Sequence, residues 1–162
     1  MSLIKIKNKF VLNLVLIFSI FALTAAYFIQ YILGHKPCNL CLIERIPYLA
    51  AVIFISLVFI LNKYEKLIAL IVSLFFIFGT VISFYHFGIE QGFFSESLVC
   101  DLTSTNNATS TQDLLNQLKR ETVSCKDVSF RILGLSLATF NTIISIFISA
   151  IMLKIVINYE KN

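Results

Sequence analysis

The 162-residue sequence is short of charge. Asp, Glu, Lys and Arg make up 14% of it against 58% hydrophobic residues, and the mean hydropathy is +0.88. A soluble domain must solvate its surface, and a composition this apolar excludes one. The five glycines lie singly, so no Gly-rich phosphate loop is present, and there is no internal repeat. No polybasic run occurs either, so the net charge of +4 gives no argument for nucleic-acid binding. What remains is an integral membrane protein.

Crossing the hydrocarbon core takes roughly 20 mainly apolar residues. Four runs qualify, at 10–33, 46–61, 67–87 and 132–157. The second is short, but Leu42 and Ile43 extend it if Glu44 and Arg45 sit at the headgroup level. The expected fold is therefore an all-α integral membrane protein, a bundle of four transmembrane helices forming one domain over 1–162. Its spans are about 10–33, 42–61, 67–87 and 132–157, and its two outward loops are about 34–41 and 88–131. A basic start (Lys5, Lys7, Lys9) before an apolar run, with the small residues Thr24, Ala25 and Ala26, has the outline of a signal peptide. The run continues well past the roughly 7–15 residues of a signal core, so a retained first span is expected.

Lysines and arginines next to short connections mark the cytoplasmic side. Lys5, Lys7, Lys9, Lys63, Lys66, Lys154 and Lys161 all fall on one side of a four-span arrangement. Both termini are then cytoplasmic. Lys119, Arg120, Lys126 and Arg131 fall in the second outward loop, where acidic residues are mixed among them.

No cysteine lies in a span. Cys38 and Cys41 occupy the first outward loop, and Cys100 and Cys125 the second. In an oxidising compartment thiols so placed form disulfides, and of the three possible connectivities the spacing makes Cys38 with Cys41 and Cys100 with Cys125 the simplest. The first pair would close a very small ring at a helix start, where the macrodipole favours a thiolate and suits the pair to redox cycling. The second would close a loop of about 25 residues and reads equally well as a staple, contributing roughly 3–4 kcal/mol by restricting the unfolded chain.

If a helix starts near Cys38, Arg45 lies at i+4 from Cys41 on the same face and can stabilise a thiolate or a developing oxyanion. Taken alone, such an arginine more commonly snorkels to the interface. Pro47 has no NH for the carbonyl of Ile43, so an irregular first turn is expected. His86 closes the third span at the depth of Arg45, a position where histidines are more often interfacial than catalytic; His35 and Lys36 read as solvated loop residues. Asn107 begins a glycosylation sequon, meaningful only in a eukaryotic secretory pathway. Leu114, Leu115 and Leu118 fall on one stripe, enough for a short helix lying on the membrane, with Phe93 and Phe94 as interfacial anchors.

Together, KPCNLCLIERIPY opening the second span, YHFGIEQGFF closing the third, VCDL and SCKDVSFRILGLS flanking the long loop, and Asn141 in the fourth span resemble the disulfide bond formation protein B (DsbB) family over nearly the whole chain. The chain departs from the family in having no tryptophan, with Phe130 where one often stands, and in a segment FFSESLVC that lacks the prolines commonly seen just before the first loop cysteine. The resemblance implies a thiol:quinone oxidoreductase of the bacterial inner membrane with its cysteine loops in the periplasm. A reduced DsbA-like partner would attack the Cys100–Cys125 disulfide, Cys125 would exchange with Cys38, and Cys41 would pass electrons to ubiquinone or menaquinone held near Arg45 and His86. A strongly oxidising dithiol needs a still better acceptor, and a bilayer quinone is one.

Three other readings stand beside this one. In a vitamin K epoxide reductase-like enzyme the redox Cys-x-x-Cys comes late in the bundle, whereas here it opens the second helix. A metal-binding tetraspan protein would use the loop cysteines or His86, but the second pair lacks the close spacing of a closed site. In a non-catalytic scaffold both disulfides would stay oxidised and inert.

Overall fold

The computed structural model describes residues 2–61, 64–95, 100, 124–126, 131–132 and 135–160. Lys63, the sequon at Asn107, the leucine stripe at 114–118, Lys119, Arg120, Phe130 and Lys161 lie outside the described residues. Helix α1 runs Ser2–Tyr31, α2 Asn39–Ile43, α3 Ile46–Leu61 and α4 Glu65–Glu90. A two-residue hairpin, β1 (Arg131–Ile132) with β2 (Leu135–Ser136), pairs Arg131 with Ser136 and leads into α5, Leu137–Glu160.

Four segments are long and apolar enough to cross a bilayer: Asn8–Tyr31, Asn39–Leu61, Glu65–Glu90 and Leu137–Asn158. The protein is thus a four-helix membrane protein, as its composition requires. The hairpin occupies the start of the run that sequence assigned to a span from 132, and the helix begins only at Leu137. Ser136 fixes that boundary, since its Oγ accepts from the backbone NH of Thr139 at 3.2 Å in an N-cap geometry.

Helix α4 packs most extensively on α5, and α3 lies against both α1 and α4. The core is Leu12 and Val15 from α1, Ala51 and Ile55 from α3, Val72 and Phe76 from α4, and Ile148 and Met152 from α5. Tyr48 sets its ring edge-on to Phe76 at 5.3 Å. Lipid tails are as apolar as leucine, so small residues and polar contacts have to favour helix association. Ser73, Ser83, Ser145 and Ser149 are all buried, and Ser73 Oγ donates to the carbonyl of Ser149 across α4 and α5 at 3.4 Å. At Gly79 an added Cβ would meet Pro47 Cγ at 2.7 Å, which shows how closely α3 and α4 approach there.

The outward faces carry large apolar side chains such as Phe10, Phe21, Phe28, Ile60 and Phe147, as lipid exposure demands. Lys9 Nζ lies 3.8 Å from Glu65 Oε1, joining the starts of α1 and α4 at one end. The cysteines are at the other end.

Candidate functional site

The site begins where α2 and α3 fail to be one helix. Pro47 has no NH for Ile43, and the chain turns at Glu44–Arg45, with the Arg45 NH reaching back to the Leu42 carbonyl at 3.2 Å before Leu49 bonds Arg45 at 3.0 Å. The irregular turn expected from Pro47 is present. A continuous helix from Cys38 is not, and α2 is only five residues long. Cys38 caps α2 with extended backbone (φ −73°, ψ 169°), and the Cys41 NH points at its Sγ at 3.2 Å. The two cysteines form a disulfide with Cα atoms 5.1 Å apart.

His86 packs onto this disulfide. It is 4% exposed, its Nε2 lies 3.6 Å from Cys38 Sγ, and its Nδ1 lies 2.7 Å from Glu44 Oε1. Taken alone, His86 reads as an interfacial residue, with a quinone role implied by the resemblance, and Glu44 reads as a headgroup-level residue. The break before Pro47 instead turns Glu44 into the bundle, where it is 8% exposed. A buried carboxylate needs partners, and Glu44 has them: His86 on Oε1, and Asn141 Nδ2 donating to Oε2 at 2.8 Å. Asn141 in turn accepts from the Tyr48 hydroxyl at 2.5 Å. Glu90, one turn beyond His86, brings Oε1 to 3.7 Å from Nε2.

Cys100 and Cys125 form the second disulfide, Cα atoms 5.6 Å apart. Both pairings match the simplest choice from spacing. Cys38, Cys100 and Cys125 are buried with Leu40 and Ile89 in one apolar cluster, and Cys41, Ile43, Ile82 and Tyr85 pack against it. Cys125 and His86 also line the same cavity wall as Cys38 and Cys41. The two disulfides are thus neighbours.

A cavity of about 370 Å³ opens beside them, lined by Cys38, Cys41, Arg45, His86 and Cys125 together with apolar residues of α1 and α5. Cys100 belongs to the cluster but does not line the cavity. Arg45 donates through Nη1 to Gln30 Oε1 at 2.6 Å, and its guanidinium stands over the Tyr27 ring at 5.0 Å. It is held by α1 and does not extend freely to the headgroups. His35 and Lys36, read as solvated, also line the cavity.

Sequence reading missed Glu44, Glu90, Tyr48, Gln30 and Tyr27. Only Glu90 had a local signal, its i+4 spacing from His86. The polar atoms of Cys38, Cys41 and His86 lie within 4.8 Å of one another, a proximity the disulfide and the imidazole contact account for. Joined to each other, Cys38 and Cys41 offer no thiolate for a metal ion.

Two disulfides packed together at one end of a four-span bundle are the arrangement that a membrane thiol–disulfide oxidoreductase requires. The family model of disulfide bond formation protein DsbB matches residues 8–155, and the chain belongs to that family. An uncharacterized protein of Rickettsia prowazekii (strain Madrid E) is 35% identical over 159 residues, covering 94% of this chain and 90% of the relative. The protein is a membrane disulfide-bond formation protein.

Proposed function

We propose that this protein reoxidises a DsbA-like dithiol oxidase of the periplasm and passes the electrons to a membrane quinone. It would sit in the bacterial inner membrane as a single domain, both termini cytoplasmic and both cysteine loops periplasmic. The carrying observation is the placement of both disulfides in one buried cluster beside a cavity with apolar walls. Exchange needs a thiolate to reach a disulfide sulfur, and packing Cys125 with Cys38 favours that encounter.

The chemistry balances. A partner thiolate attacks Cys100, forming a mixed disulfide and releasing the Cys125 thiolate. Cys125 attacks Cys38, releasing Cys41 as a thiolate. The partner's second thiol attacks its own sulfur in the mixed disulfide and frees Cys100, which attacks Cys125 and leaves Cys38 and Cys41 reduced. Two electrons and two protons then pass to the quinone, and the Cys38–Cys41 bond reforms.

The cavity suits the acceptor. Its volume falls within the roughly 300–1,000 Å³ of small-ligand sites. Phe18, Phe21, Phe140 and Ile144 would flank the apolar part of a quinone, while Arg45 and Gln30 would meet a ring carbonyl. An arginine there stabilises the negative charge that develops on the oxygen during reduction.

The test is quinone reduction by purified protein supplied with a reduced DsbA-like dithiol, comparing the parent with Cys41→Ser. Turnover in the parent and none in the variant is expected. A folded parent inactive with both ubiquinone and menaquinone would overturn the reading and leave a scaffold with inert disulfides.

A further inference from the structure

Glu44, His86 and Cys38 come from separate places, the α2–α3 turn, α4 and the α2 cap, and meet in a chain of contacts: Glu44 Oε1 to His86 Nδ1 at 2.7 Å, and His86 Nε2 to Cys38 Sγ at 3.6 Å. A carboxylate only accepts, so Nδ1 carries the hydrogen and the neutral ring leaves its Nε2 lone pair facing sulfur. A cysteine sulfur facing a histidine that is itself oriented by a third group is the arrangement that activates a thiol nucleophile.

We propose that His86 is the proton acceptor and donor for Cys38, and that Glu44 is its positioning residue. The proposal deepens the exchange sequence above and rests on it. When Cys100 attacks Cys125 in the Cys38–Cys125 disulfide, the Cys125–Cys38 bond breaks and Cys38 departs with the electron pair; His86, having taken up on Nε2 a proton released by the partner's dithiol, gives that proton to Cys38. When the Cys38–Cys41 bond reforms, Nε2 removes that proton as the Cys38 sulfur attacks the Cys41 sulfur. The electron pair goes to the quinone, and the proton held on His86 is one of the two that the quinol requires.

The surroundings accommodate both protonation states. Around the ring stand Glu44 from the turn and Glu90 from α4, with Arg45 and Cys125 on the same cavity wall. With Nε2 protonated, Glu90 Oε1 at 3.7 Å supplies a counter-charge. From α5, Asn141 bonds the other oxygen of Glu44 and fixes which oxygen faces the ring. This geometry gives His86 a role toward sulfur in addition to the quinone role expected from sequence.

The experiment is iodoacetamide alkylation of Cys38 in the fully reduced, full-length protein, followed by mass spectrometry from pH 6 to about 10; fragment ions separate Cys38 from Cys41. Relative to the parent, His86→Gln is expected to slow Cys38 alkylation about tenfold at pH 7. The two rates should converge well above the ordinary thiol pKa of about 8.5, where ionisation needs no base. Glu44→Gln should lie between them and Glu44→Asp should recover part of the rate. Rates that superimpose at every pH would overturn the proposal, as would a deficit equal at all pH values, which would indicate altered access to Cys38. Because the readout uses no quinone, it can fail while quinone turnover persists, or hold where turnover is absent.

Discussion

Asn141 on α5 donates through Nδ2 to Glu44 Oε2 at 2.8 Å, a bond between residues 97 positions apart that ties the last helix to the turn carrying the site. Asn141 Oδ1 meanwhile accepts from Tyr48. Asn141→Leu would remove both bonds and leave one oxygen of a buried carboxylate unpaired, at a cost of about 1–3 kcal/mol. Asn141→Asp should cost more, since it sets a second carboxylate against Glu44. Reversible unfolding in mixed detergent micelles checks the order; an aspartate variant as stable as the parent would remove Asn141 from the account.

The close approach of α3 and α4 gives a second expectation. A Cβ at Gly79 meets the Pro47 ring, which is buried and rigid, so the helices must separate. Gly79→Ala should cost about 1–3 kcal/mol as an overpacked contact. At Gly88 the Cβ would instead meet the Phe94 ring, which is 44% exposed and can swing outward at the expense of its stacking on Tyr85. Gly88→Ala should therefore be the milder change, and the same unfolding measurement on both variants decides it.

How much of this could be read from the chain depends on the range of the contacts. The four spans follow from local apolar runs, and both disulfide pairings from spacing, because each rests on residues near in sequence. The break at Glu44–Arg45 was legible through Pro47, whose missing NH is a local fact. The burial of Glu44 was not, because its partners His86 and Asn141 lie 42 and 97 positions away, and without them a glutamate beside an arginine reads as interfacial. Arg45 was read from its spacing to Cys41, while its partners Gln30 and Tyr27 belong to another helix.

Those two partners make Arg45 a test of the proposed acceptor site. Arg45→Ala removes a charged hydrogen-bond donor from the cavity wall, and charged hydrogen bonds contribute about 1.5–3 kcal/mol. The KM for quinone should rise about tenfold or more while the KM for the reduced partner changes little. Arg45→Lys keeps the charge but not the planar group over Tyr27, so it should fall between parent and alanine. Steady-state kinetics with each substrate varied separately measures both constants. An unchanged quinone KM would place the acceptor elsewhere.

The adjacency of the two disulfides can be tested with neither partner nor quinone. In Cys41→Ser, Cys38 has lost its own disulfide partner and is a free thiol packed with Cys125. Its thiolate can attack the Cys125 sulfur of the Cys100–Cys125 bond, forming Cys38–Cys125 and releasing Cys100; no electrons enter or leave. Attack on Cys125 rather than Cys100 is expected because Cys125 shares the cavity with Cys38 and Cys100 does not. Non-reducing peptide mapping after acid quench should find the Cys38–Cys125 link as a major species, with Cys100 alkylatable. If Cys38 is the only alkylated cysteine and Cys100–Cys125 is intact at every pH tried, the two disulfides do not exchange and the relay loses its central step.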